Sequence, residues 1–115
     1  MTHNTPYWYN AKLVRIIDAD TLELDIDLGL HVTRREVVRL NRVDAWEIRG
    51  VEKKLGDKAK QFVREKMPIG STVAINTFMD KTGKYGRLLV DIYLPGGECL
   101  NDVLVKNEHA RYVNF

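Results

Sequence analysis

Residues 21–29, TLELDIDLG, alternate strictly between apolar side chains and polar or acidic ones. Leu22, Leu24, Ile26 and Leu28 fall on one face of an extended chain, and three acidic residues fall on the other. Because successive side chains of a strand point to opposite faces, this pattern predicts a half-buried β-strand. The alternation therefore places a β-sheet at the start of the fold.

Two further segments of β-type residues flank this strand. Residues 12–17 before it are rich in apolar side chains. Gly29 permits a turn after it, and residues 31–43 are then rich in β-branched residues, with Val38 and Leu40 on one face. We therefore expect three consecutive strands to open the domain.

The hydrophobic period changes in the next segment. Apolar residues between 55 and 67 recur at the spacing of one helical face, and Pro68 and Gly70 end that pattern. Residues 71–78 and 88–93 again read as strands, and the sequence predicts a short helix over about residues 100–107. This order predicts one α+β domain over residues 1–115, with a five-stranded Greek-key barrel of the oligonucleotide/oligosaccharide-binding (OB) type as the leading candidate. An unrelated α+β sandwich would give a similar order of elements.

Composition and charge limit the classes of function. Cys99 is the only cysteine, so no internal disulfide forms, and the sequence shows neither a signal peptide nor the ~18 apolar residues of a membrane helix. We therefore expect a cytoplasmic protein without a membrane partner. Eleven of the 18 Lys and Arg residues fall between residues 34 and 66, which favours a polyanionic partner. The alternative is that several of them simply solvate a helix face.

Acidic residues mark two places where predicted strands end. DADTLELDIDLG does not fit a calcium-binding EF-hand loop, because Glu23 stands where that loop needs glycine and Gly29 where it needs glutamate. The His and Cys residues show no zinc-site spacing. Oxygen ligands for calcium or magnesium remain, if the two segments meet in space. The candidates are Asp18, Asp20, Asp44 and Glu47. Alternatively, these acids shape turns or cap the following helix.

Several stretches together resemble the staphylococcal nuclease (thermonuclease) family over nearly the whole chain. They are IIDADTLEL, VVRLNRVDAWE, GDKAKQFV, DKTGKYGRLLVDIY and LNDVLVKNEHA, in the family's order and spacing. The resemblance implies an OB-type barrel and calcium-assisted hydrolysis of phosphodiester bonds. Two departures stand out: Ala45-Trp46 replaces the family's usual Thr-Pro, and Ala19 replaces the usual glycine between two acids.

The resemblance also implies roles for individual residues. Asp20 and Asp44 match metal-binding carboxylates, with the backbone carbonyl of Ala45 as a further ligand, and Asp18 matches an acid that supports them. Glu47 matches the residue that holds or deprotonates the attacking water. The pair that grips the scissile phosphate is matched by Arg39 and Arg87, and contacts to a neighbouring phosphate are matched by Lys84 and Tyr85.

These residue types suit phosphodiester hydrolysis. Charge builds up on the phosphate oxygens in the transition state, where a divalent cation and two guanidiniums stabilise it. Together with the resemblance, which implies calcium, these residue types lead us to expect a Ca²⁺-dependent endonuclease, with Mg²⁺ as an alternative ion. It would act on DNA or RNA with little sequence preference and be a monomer or a weak dimer, and the resemblance implies products with 3′-phosphate ends. The alternative is a non-catalytic module on the same barrel that binds single-stranded nucleic acid or a peptide. If the family resemblance is set aside, the alternative for Arg39 is an ion pair with Glu23 or Glu36.

Overall fold

The protein is described by a computed structural model over residues 7–46, 53–79 and 88–113. Two helices and seven strands follow one another along these residues. In chain order they are β1 (Tyr7–Asp18), β2 (Thr21–Gly29), β3 (Val32–Leu40), β4 (Val43–Ala45), α1 (Lys53–Lys66), β5 (Thr72–Met79), β6 (Leu88–Tyr93), α2 (Leu100–Lys106) and β7 (Ala110–Tyr112).

Five strands close into a barrel in the order β1-β2-β3-β6-β5. All neighbouring pairs are antiparallel except β3 and β6, which run parallel. The predicted α+β fold with a five-stranded OB-type barrel is therefore confirmed. Neither described helix is long and apolar enough to cross a membrane.

The alternation in β2 is reproduced in the burial of its side chains. Leu22, Leu24 and Ile26 are buried in the barrel core, to which β1, β3, β5, β6 and both helices also contribute. Leu28, which the pattern assigned to the same face, is 43% exposed. The residue lies near the tip of the β2–β3 hairpin, beyond the part of the strand that the core covers.

The loop of the β2–β3 hairpin has a backbone conformation that its two residues rarely adopt. Gly29 pairs with Val32, so that Leu30 and His31 form a two-residue loop, with φ values of 54° and 64°. Positive φ at both loop positions is typical of a type I′ turn, which fits the twist of the strands and favours Asn-Gly. Here neither position carries Asn or Gly, and the Leu30 side chain is 95% exposed.

The expectation of one strand over residues 31–43 is wrong. β3 ends at Leu40, and a turn with Arg42 at φ 67° separates it from the three-residue β4. β4 leaves the barrel and pairs antiparallel with β7, which the sequence pattern did not predict. Three-residue strands are too short for their alternation to be recognised.

A buried amide joins α2 to the barrel where β3 ends. The Asn101 side chain is fully buried; its Oδ1 accepts a hydrogen bond from Ile92 N (3.1 Å), and its Nδ2 donates to Asn41 O (2.9 Å) and Val90 O (3.1 Å). Asn101 thus satisfies main-chain groups of β6 and of the turn leading to β4. The position of β4 therefore depends on α2.

Helix α1 lies against β1 and α2 through a narrow apolar face. Gly56, Ala59 and Val63 are buried, and its basic residues are mostly exposed, as expected for an amphipathic helix. Leu55, which the pattern placed on the buried face, is 46% exposed. The helix begins at Lys53, nine positions after Asp44, and Asp44 belongs to β4, so Asp44 does not cap it.

Candidate functional site

Asp20 is a buried carboxylate in the tight turn between β1 and β2. The residue is 6% exposed, and Ala19 beside it is completely buried. Its Oδ2 accepts a hydrogen bond from Ala45 N (2.9 Å) and its Oδ1 one from Thr21 Oγ1 (3.0 Å). Its main-chain oxygen accepts from Leu40 N (2.8 Å). Asp20 thus ties the first hairpin to the end of β3 and to β4.

Arg39 joins two acids from different parts of the chain. It stands on the outward face of β3, between the buried Val38 and Leu40, and its side chain is only 15% exposed. Its Nη1 lies 2.5 Å from Asp20 Oδ2, and its Nη2 donates to Asp44 Oδ1 at 3.1 Å. A charge-assisted pair of this kind, made by one planar guanidinium, fixes the relative positions of both carboxylates.

The two acids with which Arg39 was alternatively expected to pair have other partners. Glu23 pairs with Arg15 at 3.5 Å, and Glu36 pairs with Arg34 at 2.6 Å. Both contacts lie on the exposed outer face of the barrel.

Asp44 also contacts a second arginine, which the sequence analysis did not identify. Asp44 on β4 stands directly opposite Arg111 on β7, and Asp44 Oδ2 lies 3.6 Å from Arg111 Nη2. Main-chain hydrogen bonds join the two strands on either side of this pair, one of them from Trp46 N to His109 O at 3.3 Å. No periodic signal in the sequence marks β7, so nothing indicated that Arg111 would reach the acids.

The main chain of Ala45 faces Asp20. Ala45 stands opposite Ala110, between positions at which β4 and β7 exchange hydrogen bonds, so its own peptide groups point away from β7. Its N–H donates to Asp20 Oδ2. Because the N–H and C=O of one strand residue point to the same side, the carbonyl of Ala45 faces that side as well.

The remaining predicted site residues are described only in part. Asp18 ends β1, pairs in register with Thr21 and is partly exposed. The other predicted residues lie outside the described ranges; they are Glu47, Lys84, Tyr85 and Arg87.

Comparison with protein families gives one match. The family model described as "Staphylococcal nuclease homologue" matches residues 37–115, more than half of the chain. The chain belongs to this family. The match begins on β3 and covers Arg39, Asp44 and Arg111. No curated protein sequence matches the chain significantly.

Trp46, one of the two residues by which this nuclease homologue departs from the usual Thr-Pro, makes two hydrogen bonds to main-chain oxygens. Its N–H donates to His109 O, a bond that proline could not make, and its indole Nε1 donates to Glu108 O at 3.1 Å. Both bonds hold β4 against the end of α2 and the start of β7. The Ala45-Trp46 sequence therefore replaces the rigidity of proline with two hydrogen bonds.

Four charged side chains meet in the described part of the nuclease-homologue site: Arg39 contacts Asp20 and Asp44, and Arg111 contacts Asp44. Carboxylates from two distant segments, with a main-chain carbonyl beside them, are the hard oxygen donors that calcium and magnesium prefer. In the described part of the chain, however, no three metal-binding side chains form a cluster. A cation held by Asp20 and Asp44 would therefore need further oxygen ligands besides the described side chains.

A second charged group lies next to β4. Burial raises the pKa of the Asp91 carboxyl, although Arg42 opposes this shift. The same Arg42 reaches Asp91 and Asp102 at 3.7 and 3.6 Å. Asn101 Nδ2 also donates to Asp91 Oδ1 at 3.1 Å. These contacts fix the turn that precedes β4.

Proposed function

We propose that the chain is a calcium-dependent nuclease that hydrolyses phosphodiester bonds of DNA or RNA with little sequence preference. The observation that carries the proposal is the convergence of Asp20 and Asp44 on the Arg39 guanidinium. Membership of the nuclease homologue family supports it. An exposed polar cluster formed for solvation alone would not need a carboxylate that is 6% exposed.

Asp20, Asp44 and the carbonyl of Ala45 are the groups that would hold the cation. A bound Ca²⁺ would act as a Lewis acid that stabilises the developing charge on phosphate oxygens. The hydrogen bonds from Ala45 N and Thr21 Oγ1 support this role, because they fix the orientation of the Asp20 carboxylate.

Arg39 would bind the scissile phosphate together with Arg87. Both carboxylates contact the Arg39 guanidinium. They also hold the guanidinium in place before substrate arrives, which reduces the entropy lost on binding. A divalent cation would add positive charge to this group of acids and arginines and so attract the anionic phosphodiester.

The resemblance gives the remaining steps to residues outside the described ranges. Glu47 would orient or deprotonate the attacking water, which is typically worth ~10²–10⁴-fold in rate. Lys84 and Tyr85 would contact a neighbouring phosphate. Products with 3′-phosphate ends are expected from the resemblance.

The test is cleavage of single-stranded DNA, duplex DNA and RNA by the purified chain in calcium, in magnesium and in chelator. Cleavage that requires the metal is expected, and Glu47→Gln or Arg87→Ala should lower its rate by at least ~10²-fold while leaving the unfolding temperature unchanged. Glu65→Gln, an exposed change on α1, is the control and should cleave normally.

Two outcomes would reject this function. Unchanged cleavage by both variants would contradict the assigned roles. Binding of single-stranded nucleic acid without cleavage in any metal would support the non-catalytic module instead.

A further inference from the structure

We propose that Arg111 forms a second phosphate subsite, which holds the phosphate next to the one at Arg39 on a single-stranded substrate. The proposal rests on the proposed function for the class of substrate. Arg39 and Arg111 contact the two oxygens of one carboxylate, Asp44, at 3.1 and 3.6 Å. Both guanidiniums are thus held next to the same carboxylate.

The backbone fixes where Arg111 lies. β7 pairs with β4 so that Arg111 stands directly opposite Asp44, and hydrogen bonds from Trp46 N to His109 O and from Val113 N to Arg42 O enclose that pair. Cross-strand partners share a face of the ribbon. Arg111 therefore stays on the side of the β4–β7 ribbon that carries the candidate site.

The contact between Arg111 and Asp44 is too long and too exposed to act as a stabilising ion pair. The distance of 3.6 Å exceeds the ~2.7–2.9 Å of a charge-assisted hydrogen bond. The Arg111 side chain is 71% exposed, and Asp44 already accepts a hydrogen bond from Arg39 through its other oxygen. Exposed pairs of this kind contribute little to stability. The guanidinium is thus solvated and able to meet an anionic ligand bidentately.

The chain contains a closely matched control. Arg15 on β1 stands opposite Glu23 on β2, with a separation of 3.5 Å and a side chain that is 63% exposed. It shares with Arg111 the residue type, an acidic partner on the neighbouring strand, a similar ion-pair distance and a similar exposure. It differs in its partner, since Glu23 is not among the acids that contact Arg39.

The experiment measures binding of a short fluorescein-labelled thymidylate single strand by anisotropy, in chelator, between about 50 and 200 mM salt. Arg111→Gln should weaken binding roughly three- to tenfold at the low-salt end and reduce the slope of log K against log salt by about 0.7, the value for one lost phosphate contact on a single strand. Arg111→Lys should keep the slope and lose part of the affinity, because it retains the charge but not the planar donors. Arg15→Gln should match the unmodified chain.

Cleavage kinetics in calcium separate this role from positioning of Asp44. Arg111→Gln should raise KM by a factor similar to the loss of affinity and leave kcat nearly unchanged. A fall in kcat at unchanged KM would overturn the proposal, because it would mean that Arg111 acts by orienting Asp44. Equal binding and slope in the Arg111→Gln and Arg15→Gln variants, or no binding by the unmodified chain, would also overturn it.

Failure of the subsite and failure of the nuclease function give different results. If the unmodified chain cleaves but Arg111→Gln binds normally, only the subsite is wrong. If the chain never cleaves but Arg111→Gln binds the single strand more weakly and with a smaller salt dependence, the subsite is correct and belongs to a non-catalytic binding module.

Discussion

Replacing Arg39 by methionine should destabilise the fold much more than the loss of an ordinary ion pair. The Arg39 and Asp20 side chains are 15% and 9% exposed. Methionine fills much of the volume of the Arg39 side chain but leaves the Asp20 carboxylate without the guanidinium that balances its charge. Removing one partner of a buried pair costs ~3–5 kcal/mol. Ala45 N and Thr21 Oγ1 still donate to Asp20, so we expect a loss of about 2–4 kcal/mol.

For a chain of this size, that loss corresponds to a fall in unfolding temperature of roughly 8–16 °C. Urea unfolding followed by circular dichroism measures the free energy directly. Arg35→Met is the matched control, because Arg35 makes two hydrogen bonds to Asp25 at an exposed site and its loss should leave the free energy of unfolding nearly unchanged.

A double-mutant cycle tests the reason for this loss. Asp20→Asn in the Arg39→Met background removes the uncompensated charge and should restore at least about 1 kcal/mol relative to the single variant. An Arg39→Met variant within about 0.5 kcal/mol of the unmodified chain, or strictly additive losses in the double variant, would show that the buried Asp20 carboxylate does not depend on Arg39.

Three further predictions concern the structure around the site. Asn101→Ala leaves buried main-chain groups without partners and should cost about 3–5 kcal/mol in urea unfolding, whereas Asn107→Ala, which loses one part-buried hydrogen bond to Val103 O, should cost about 1 kcal/mol. Burial, and then Lys58, lower the pKa of His109, so the folded chain binds fewer protons than the unfolded chain and loses stability as pH falls below about 6.5. His109→Phe should flatten that part of the stability–pH profile. An unchanged profile would mean that His109 does not cause the loss of stability. Leu30→Asn with His31→Gly should raise the unfolding free energy by about 1–2 kcal/mol, because both loop positions have positive φ, and no gain would contradict the turn assignment.

The sequence predicted the parts of the fold that have a long hydrophobic period. The alternation over residues 21–29 and the helical spacing over residues 55–67 correspond to β2 and α1. The break at Arg42 was missed, because the hydrogen bonds that hold this turn, from Asn101 Nδ2 to Asn41 O and from Val113 N to Arg42 O, come from residues about sixty or more positions away in the sequence. The β4–β7 pair joins residues almost seventy positions apart, and no local pattern specifies such a pairing.

In the candidate site, too, some residues could be predicted from the sequence but their long-range contacts could not. The residue types and the resemblance were sufficient to select Asp20, Arg39 and Asp44, which the structure brings together. They did not show that both carboxylates contact the same guanidinium. Arg111 was missed altogether, because it reaches Asp44 only through the unpredicted strand β7.

The response of the unfolding temperature to calcium tests most directly whether these acids hold a hard cation. The unmodified chain should gain about 1.4 kcal/mol of stability at a calcium concentration ten times the dissociation constant, and Asp25→Asn, which removes a carboxylate paired with Arg35, should gain as much. Asp44→Asn should lose most of this gain. An unmodified chain that does not respond to calcium, or an Asp44→Asn variant that responds equally, would contradict the account.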